Sequence, residues 1–334
     1  MSPSKGFWDS LPLFPDSAST LAPQVDGIYF FAVGVAIFFS LLVAALVLYF
    51  AVRYRRRHPD DVGQPERTIT WLEITWSLIP FLILMVMFGW GAKVFFVAFR
   101  PPSDAVEYYV VGKQWMWKFQ HPQGKREIND LHVPVGQPIK LTMTSEDVIH
   151  SFWVPAFRIK ADVLPGRYTT VWFEATKAGA YRLHCTEYCG AEHSRMGGTV
   201  YVMEPRDYEA WLSESAPTED RLLTGEELFA KYVCNTCHYP DSAARAPILW
   251  GLFGEEVQLA DGRRVVVDEN YLRESILNPA ASIVAGYQPL MPTYRGQLGE
   301  EELIQLIAYI KGLEPAAYGA GSATGDTTAQ ETAP

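Results

Sequence analysis

Residues 181–200 read Tyr-Arg-Leu-His-Cys-Thr-Glu-Tyr-Cys-Gly-Ala-Glu-His-Ser-Arg-Met-Gly-Gly-Thr-Val, and they contain four potential metal ligands: Cys185, Cys189, His193 and Met196. Two thiolates, an imidazole and a thioether are soft donors, which suit copper better than magnesium, calcium or manganese. A mononuclear blue-copper centre uses a single cysteine, so the second cysteine favours two thiolates bridging two copper ions. A disulfide or a Cys/His zinc site is the alternative, but it leaves Met196 without a role.

The spacing of this stretch resembles the binuclear copper (CuA) loop of cytochrome c oxidase subunit II. That loop has the pattern Cys-x-Glu-x-Cys-x3-His-x2-Met, which is matched here by Cys185, Glu187, Cys189, His193 and Met196. The family has one further histidine upstream, and its best match is His150 in Asp-Val-Ile-His-Ser-Phe-Trp-Val-Pro. The resemblance implies a cupredoxin-like β-sandwich with the ligands on loops at one end.

The resemblance also implies two roles for Glu187. Its backbone carbonyl would ligate copper, and its carboxylate would contact a magnesium ion shared with the catalytic subunit I. His184, directly before Cys185, has no counterpart among the family's ligands, so we expect it to lie behind the metal ligands.

The length and charge of the chain limit its class. The 334 residues suffice for two modest domains and membrane anchors, and the net charge is −10. After Arg100 the chain holds 20 Lys and Arg against 31 Asp and Glu. An acidic body of this kind disfavours nucleic acid and attracts basic partners such as a soluble cytochrome, although ordinary solubility explains it equally well.

Two apolar runs predict a transmembrane hairpin over 27–100. The runs cover 27–52 and 76–97, each as long as the ~20 residues that a membrane-spanning helix needs. Arg53, Arg55, Arg56 and Arg57 follow the first run, which is the wrong order for a signal peptide and keeps the loop cytoplasmic. Both termini, including an exposed segment 1–26, are therefore expected outside, on the periplasmic face of a bacterial plasma membrane.

Glu73 lies where the second span begins, in Glu-x-x-Trp. By itself, an acid at that depth is expected to reach into the headgroups or to face a polar path. The resemblance implies that Glu73 lies at the mouth of a proton channel in subunit I.

Short runs rich in Val, Tyr, Thr and Trp follow Pro101 and predict a β-sandwich over 101–205. The runs are 105–119, 127–135, 138–144, 168–174, 180–184 and 198–203. The first contains Gln114-Trp115-Met116-Trp117, an alternating aromatic pattern that a strand face would explain. The resemblance implies that Trp115 is the exposed tryptophan through which a docked cytochrome delivers its electron.

A polar stretch, 206–220, reads as a linker, after which the pattern restarts as a second domain over 221–314. Thr224 and Glu227 form a predicted capping box, and the helix leads into Cys234-Asn-Thr-Cys237-His238. Cys-x-x-Cys-His is the attachment signature of c-type haem; a dithiol redox pair would need a thioredoxin-like context that the sequence lacks.

The rest of this domain resembles class I cytochromes c. Met291 is the only methionine after His238 and lies in a Leu-Met-Pro-Thr segment, so it is the expected second axial ligand. Pro247 is expected to hold His238 through its carbonyl. Residues 300–313 show an amphipathic helical period and are expected to pack across the first helix near Phe229, giving an all-α domain. Residues 315–334 have no core-forming composition and are predicted to be a disordered tail.

Taken together, the chain resembles subunit II of a caa3-type haem-copper oxidase, with a cytochrome c domain fused after the CuA domain. The resemblance implies that electrons pass from haem c to CuA and then to subunit I, where dioxygen is reduced and protons are pumped; subunit III is a further expected partner. The donor would be a soluble or membrane-bound cytochrome c or a quinol-oxidising complex. No catalytic residue is expected in this chain. The alternatives are a membrane-anchored haem c/CuA carrier without an oxidase partner, and a quinol oxidase subunit that has lost copper.

Overall fold

The computed structural model describes residues 14–63, 68–213, 223–239 and 245–314. It begins with two long antiparallel helices, α1 (Ala22–Arg53) and α2 (Thr70–Phe99), which contain 32 and 30 residues. Within them only Ala22 and Val94 are buried, and the many Phe, Leu, Ile and Val side chains are largely exposed. Apolar helices of this length with exposed sides are typical of membrane spans rather than of core helices in a soluble domain.

Ten strands follow the hairpin, in the order β1 (Val106–Lys113), β2 (Met116–Gln120), β3 (Arg126–Ile128), β4 (Asp130–Pro134), β5 (Pro138–Ser145), β6 (His150–Val154), β7 (Ile159–Val163), β8 (Thr169–Glu174), β9 (Gly179–Cys185) and β10 (Gly197–Met203). They form two five-stranded sheets with the orders β3-β2-β1-β5-β8 and β4-β10-β9-β6-β7. The pairs β1/β5 and β4/β10 are parallel, and the other pairs are antiparallel.

The two sheets enclose one apolar core, so the predicted β-sandwich is confirmed. Its largest fully buried side chains include Trp117, Phe119, Phe152 and Met143, each at most 1 % exposed. Alternation along the strands places every second side chain in this layer. Two predicted runs are each divided into two strands. Residues 105–119 turn at Gln114 and Trp115. Residues 127–135 are interrupted at Asn129, which adopts a left-handed backbone conformation that asparagine tolerates. The strands β6 and β7 were not predicted.

The segment before α1 differs from the expected exposed leader. Residues 1–13 lie outside the described part of the chain, but Ala18, Ser19 and Leu21 are at most 4 % exposed. The Ala18 amide donates to Ala156 O at 3.0 Å, and the Thr20 amide donates to Glu174 O at 3.0 Å. The helix α1 begins at Ala22, within the predicted leader, because this segment pairs with the sandwich and sets the start of the helix.

Arg158 joins the sandwich to α1. Its guanidinium forms a bidentate pair with Asp26 at 2.7 and 3.0 Å, and its other donors bind the carbonyls of Pro15, Asp16 and Pro155. All five N–H donors of the arginine are thereby satisfied. The side chain of Trp172 also donates to Val97 O near the end of α2 at 2.9 Å. The hairpin and the sandwich are thus held together near the N-terminal end of α1 and the C-terminal end of α2.

The sandwich is followed by α3 (Pro205–Ser213), which occupies the first part of the predicted linker; residues 214–222 lie outside the described chain. The C-terminal unit contains α4 (Gly225–Lys231), α5 (Asn235–His238), β11 (Glu256–Gln258), β12 (Arg264–Val266), α6 (Glu269–Leu277) and α7 (Glu300–Lys311). Thr224 and Glu227 form the predicted capping box. The predicted tail 315–334 is also outside the described residues.

The C-terminal unit has its own core between α4, α6 and α7, where Leu228, Phe229, Leu303 and Ile307 are buried. The rings of Phe229 and Tyr309 lie 5.5 Å apart, so the last helix packs on the first as expected. The expectation of an all-α domain is wrong in one respect, since β11 and β12 form a hairpin. Its loop contains Asp261-Gly262, with Gly262 at φ +90°, and Asp-Gly is a common signal for a hairpin turn.

Candidate metal centres

The ligands predicted for copper come from two parts of one sheet. His150 is the first residue of β6, and the other candidates lie in the connection from Cys185, the last residue of β9, to β10. The pairing of β6 with β9 sets Phe152 opposite Cys185, which brings the start of β6 to the ligand loop. His184 is exposed and faces away from Cys185, because successive strand residues point to opposite faces; its ring lies 5.5 Å from that of Trp153. It does not lie behind the ligands.

The candidate donor atoms form a compact group. Cys185 Sγ lies 3.8 Å from Cys189 Sγ, 3.9 Å from His150 Nδ1 and 3.3 Å from Glu187 O. Cys189 Sγ lies 3.4 Å from His193 Nδ1 and 3.6 Å from Met196 Sδ. The two cysteines are therefore not joined as a disulfide, whose sulfurs would lie about 2.05 Å apart.

This donor set fits a copper pair. Two thiols lie at the centre, with His150 beside Cys185 and His193 beside Cys189. Cys185, Cys189 and His150 are at most 7 % exposed, and His150, Cys185 and Cys189 converge within 4.8 Å of one another. A thioether and a backbone carbonyl complete a soft, largely buried set, whereas a structural zinc site would be complete with four thiolate or imidazole donors.

Asp147, whose role no sequence pattern indicated, orients His150. Its Oδ1 lies 2.9 Å from His150 Nε2, so the other ring nitrogen, Nδ1, faces Cys185. The carboxylate also accepts from the amides of Gln114 and Val148 at 2.8 and 2.7 Å. A carboxylate that fixes the tautomer of a ligating histidine is a common support of metal sites. Its proximity in sequence to His150 was a signal that could have identified it.

The backbone of β1 fits closely against the same imidazole. A Cβ atom on Gly112 would lie 2.9 Å from His150 Cδ2, so only glycine allows this approach. The Trp117 ring lies 5.9 Å from the His150 ring in an edge-to-face arrangement. The imidazole therefore has little freedom to turn.

Hydrogen bonds, burial and charge shift the pKa values of the two thiols in opposite directions. Burial by itself would raise the pKa of Cys185, but hydrogen bonds with His150 and with the backbone of Ser151 and Glu187 lower it to about 6. Burial and the neighbouring Cys185 thiolate raise the pKa of Cys189. A bound metal cation would favour the thiolate form of both groups.

Trp115 and Glu187 lie on the exposed side of the ligand loop. A Cβ atom on Gly190, the residue after Cys189, would lie 3.3 Å from the Trp115 indole, and the Gln114 amide group donates to Cys189 O at 2.7 Å. Trp115 is 36 % exposed, and Glu187 is exposed as well. Both side chains are thus accessible beside the candidate centre.

Glu73 lies far from this group. It is in the first turn of α2, whereas the sandwich contacts α2 at Val97 near its other end. At 1.5 Å per residue the two positions are about 36 Å apart along the helix. The structure therefore does not bring Glu73 to the metal ligands.

A second candidate centre lies in the C-terminal unit. Cys234, Cys237, His238 and Met291 all line one cleft, whose free space, including the part open to solvent, is about 1080 Å³. Cys237 and His238 lie in the helical turn α5, and both cysteines are free. His238 Nδ1 is 2.9 Å from Pro247 O, as the resemblance implied, which leaves Nε2 available for a metal. Burial lowers the pKa of His238, so the neutral, metal-binding form is favoured.

The lining of this cleft fits a haem better than a small polar molecule. It is mainly aliphatic and aromatic, and Arg245 is its one charged residue among those that the structure describes. Thiols, an imidazole and a thioether are the groups that attach and ligate a c-type haem.

Comparison with known proteins gives two family matches. Residues 7–90 match cytochrome c oxidase subunit II, transmembrane domain, and residues 126–203 match cytochrome c oxidase subunit II, periplasmic domain. A cytochrome c oxidase subunit 2 of Alkalihalophilus pseudofirmus is 30 % identical over 309 residues, a match that covers 87 % of this chain and 89 % of the relative. A cytochrome c oxidase subunit 2 of Synechocystis is 30 % identical over 262 residues, and this match covers 64 % of this chain and 79 % of the relative.

Among solved structures, the periplasmic domain of subunit II of the cytochrome oxidase of Bradyrhizobium japonicum is similar. It is 32 % identical, with a TM-score of 0.33, and the match covers 34 % of this chain and 94 % of that one.

Proposed function

This chain belongs to the cytochrome c oxidase subunit II family, a component of the haem-copper oxidase complex, and on that premise we propose that it is subunit II of a caa3-type oxidase. In this proposal it receives electrons in its C-terminal domain and delivers them from its sandwich domain to subunit I. Dioxygen reduction and proton pumping take place in subunit I.

The observation that carries the proposal is the group of donors around Cys185 and Cys189. His150, His193, Met196 and the carbonyl of Glu187 would complete the ligands of a binuclear CuA centre. When bound, a copper pair would supply reversible one-electron chemistry shared between two metal ions, so the ligands would need to move little on reduction. The rigid sheets, Asp147 and the close approach of Gly112 would hold the ligands in place through the redox cycle.

The C-terminal unit supports the caa3-type assignment. Cys234 and Cys237 would attach haem c, and His238 and Met291 would be its axial ligands. The haem would supply reversible one-electron chemistry, while Pro247 holds the imidazole of His238 in orientation. The match with the Alkalihalophilus relative covers 87 % of the chain, more than the 205 of 334 residues up to the end of the sandwich, so that relative shares part of the C-terminal unit.

The other functional residues follow from the same family role. Trp115, exposed against the ligand loop, would be a point of electron entry to the sandwich. The exposed carboxylate of Glu187 would contact a magnesium ion shared with subunit I. Glu73, at the inner end of α2, would open a proton path in subunit I. Subunit III and a cytochrome c or quinol-oxidising donor complete the expected partners.

The arginines between the two helices set the proposed orientation. Arg55, Arg56 and Arg57 are exposed in the connection after α1, and positive residues of this kind stay in the cytoplasm. Both termini, the sandwich and the C-terminal unit would then lie on the periplasmic face of a bacterial plasma membrane.

Electron paramagnetic resonance of the purified full chain tests the copper proposal. We expect about two copper ions per chain and a mixed-valence two-copper signal, which Cys185→Ser abolishes. His184→Gln is the matched control, because His184 faces away from Cys185, and it should leave the signal unchanged. A single-copper signal in the wild-type chain, or a two-copper signal that persists in Cys185→Ser, would refute the assignment.

Purification in mild detergent distinguishes the alternative of an electron carrier without an oxidase partner. We expect a second, larger membrane subunit containing haem and copper to copurify with the chain. Recovery of the chain alone, with both cofactors bound, would favour the carrier.

A further inference from the structure

The C-terminal unit packs on the outer face of the β3-β2-β1-β5-β8 sheet. Along β1, Val110 points into the sandwich core, and Val111 points outward but is only 3 % exposed. Tyr168, just before β8, is also buried, and both belong to the apolar core of the C-terminal unit. A valine and a tyrosine on the outer face of a sheet are buried here because the other domain covers them.

Four charged residues at the same interface pair with one another in an alternating ring. Glu107 and Lys140 come from the sandwich, and Glu269 and Lys311 come from the C-terminal unit. Across the interface, Glu107 pairs with Lys311 at 2.9 Å and Lys140 pairs with Glu269 at 3.6 Å. Within each domain, Glu107 pairs with Lys140 at 2.9 Å and Lys311 with Glu269 at 2.6 Å. Each domain thus contributes one acid and one base, and each acid faces the base of the other domain.

These four side chains are only 16–22 % exposed, so solvent screens them less than an ordinary surface ion pair. Isolated surface pairs contribute little, but a closed network in a partly buried setting contributes more. The alternation of charges also selects one orientation, because a rotated or shifted unit would bring like charges together.

Two further contacts extend the same interface. Glu301, at the start of α7, pairs with Lys118 at 2.9 Å and with Arg126. The amide of Tyr168 donates to Asn270 Oδ1 at 2.8 Å. The ring, Glu301 and Asn270 together place α6 and α7 across four strands of the sheet.

We propose that this charge ring docks the C-terminal unit in one fixed orientation on the sandwich, so that the two cofactor domains act as a single body rather than as tethered, independently moving domains. The functional part of the inference rests on the proposed electron transfer between the two domains. A covalent tether alone gives a high effective concentration but no orientation, and the ring supplies the orientation.

Charge-swap variants of the full chain in detergent test this inference. Glu107→Lys with Lys140→Glu keeps the internal pair of the sandwich but places like charges opposite Lys311 and Glu269. Glu269→Lys with Lys311→Glu does the same from the C-terminal side. All four substitutions together restore opposite charges across the interface.

The first readout is amide hydrogen exchange of the peptide that contains Tyr168, whose amide donates to Asn270 across the interface. We expect exchange to accelerate about tenfold or more in either double variant and to return towards the wild-type rate in the quadruple variant. Unchanged exchange of the core strands β9 and β10 would exclude unfolding of the sandwich. Wild-type exchange in both double variants, or no recovery in the quadruple variant, would overturn the proposal.

The second readout is the rate of electron transfer from the C-terminal domain to the sandwich after rapid reduction. We expect it to slow in the double variants and to recover in the quadruple variant; a rate that is equal in all four proteins would refute the functional part. A chain without haem c or a two-copper signal would contradict the proposed function, whereas the exchange measurement would still test docking.

Discussion

Replacing Asp147 by asparagine should weaken copper binding without removing any ligand. Asp147 Oδ1 lies near His150 Nε2 at 2.9 Å and accepts from the Val148 amide, while Oδ2 accepts from the Gln114 amide. An asparagine has only one acceptor oxygen. If that oxygen stays at His150, its NH₂ group faces the N–H of Gln114; if it turns to Gln114, the NH₂ group faces the N–H of His150.

The first orientation therefore loses one hydrogen bond, the second loses the bonds to both His150 and the Val148 amide, and each leaves donors opposed. A lost partner for a partly buried donor costs about 1–3 kcal/mol, and Asp147 is a quarter exposed, which favours the lower half of that range. Substitution of groups that support metal ligands lowers metal affinity by roughly 10- to 100-fold, which corresponds to about 1.4–2.7 kcal/mol. The cost of the lost hydrogen bond and the free energy that corresponds to the affinity loss overlap, so we expect the copper affinity to fall about tenfold or more.

Competition with a copper chelator, followed through the absorbance of the copper-thiolate centre, measures this affinity. Glu192→Gln is the matched control, because Glu192 is a partly exposed acid in the same loop that pairs with the exposed Arg195 at 3.1 Å. It should remain within about twofold of the wild type. An affinity in Asp147→Asn equal to that of Glu192→Gln would refute the proposed orientation of His150.

Three other perturbations address the anchor, the haem and the docked interface. Arg158→Gln removes the bidentate pair and most of the bonds that join the sandwich to α1, so it should lower the free energy of unfolding by about 2–4 kcal/mol; an unchanged melting temperature would contradict this role. Met291→Ala should lower the potential of the proposed haem and open the iron to external ligands, and an unchanged visible spectrum would place the axial ligand elsewhere. Burial alone would raise the pKa of Glu107, but Lys311 and Lys140 lower it to about 2 from an ordinary value of 4.5. Its charge therefore stabilises the folded chain above pH 4.5, and this stabilisation is lost as the pH falls towards 2. In Glu107→Gln, the free energy of unfolding measured by denaturant titration should fall less than in the wild type as the pH is lowered from 4.5 towards 2. If the free energy depends on pH in the same way in both proteins, the carboxylate of Glu107 contributes nothing to stability in this range.

Local patterns predicted most of the architecture. The two apolar runs gave the membrane helices, because the thickness of the bilayer fixes the length of such helices. The capping box at Thr224 and the period of α7 depend only on neighbouring residues, and both are present. The division of the predicted strand runs at Asn129 and at Gln114 was not foreseen, since a turn between two strands is stabilised by their pairing as much as by the turn residues.

In the candidate sites too, features that depend on neighbouring residues were predicted, whereas features that depend on tertiary contacts were not. Ligands within the loop 185–196 could be proposed from spacing, and the resemblance added His150. Asp147 and Gly112 were missed, because their roles depend on β1 and β6 meeting in space. The expectation that His184 lies behind the metal ligands was wrong, because the alternation of side chains along β9 turns it away from Cys185.

The sequence by itself determined which residues are candidate metal ligands, where two apolar helices lie, and that a second unit with a Cys-x-x-Cys-His segment follows the sandwich. These properties depend on residue type and short spacing. The tertiary structure alone decided which nitrogen of His150 faces Cys185, how Arg158 fixes the sandwich to α1, and that Glu107 and Lys140 meet Lys311 and Glu269 across two domains. Each of these is a contact between residues far apart in the chain, and folding, rather than local sequence, brings such residues together.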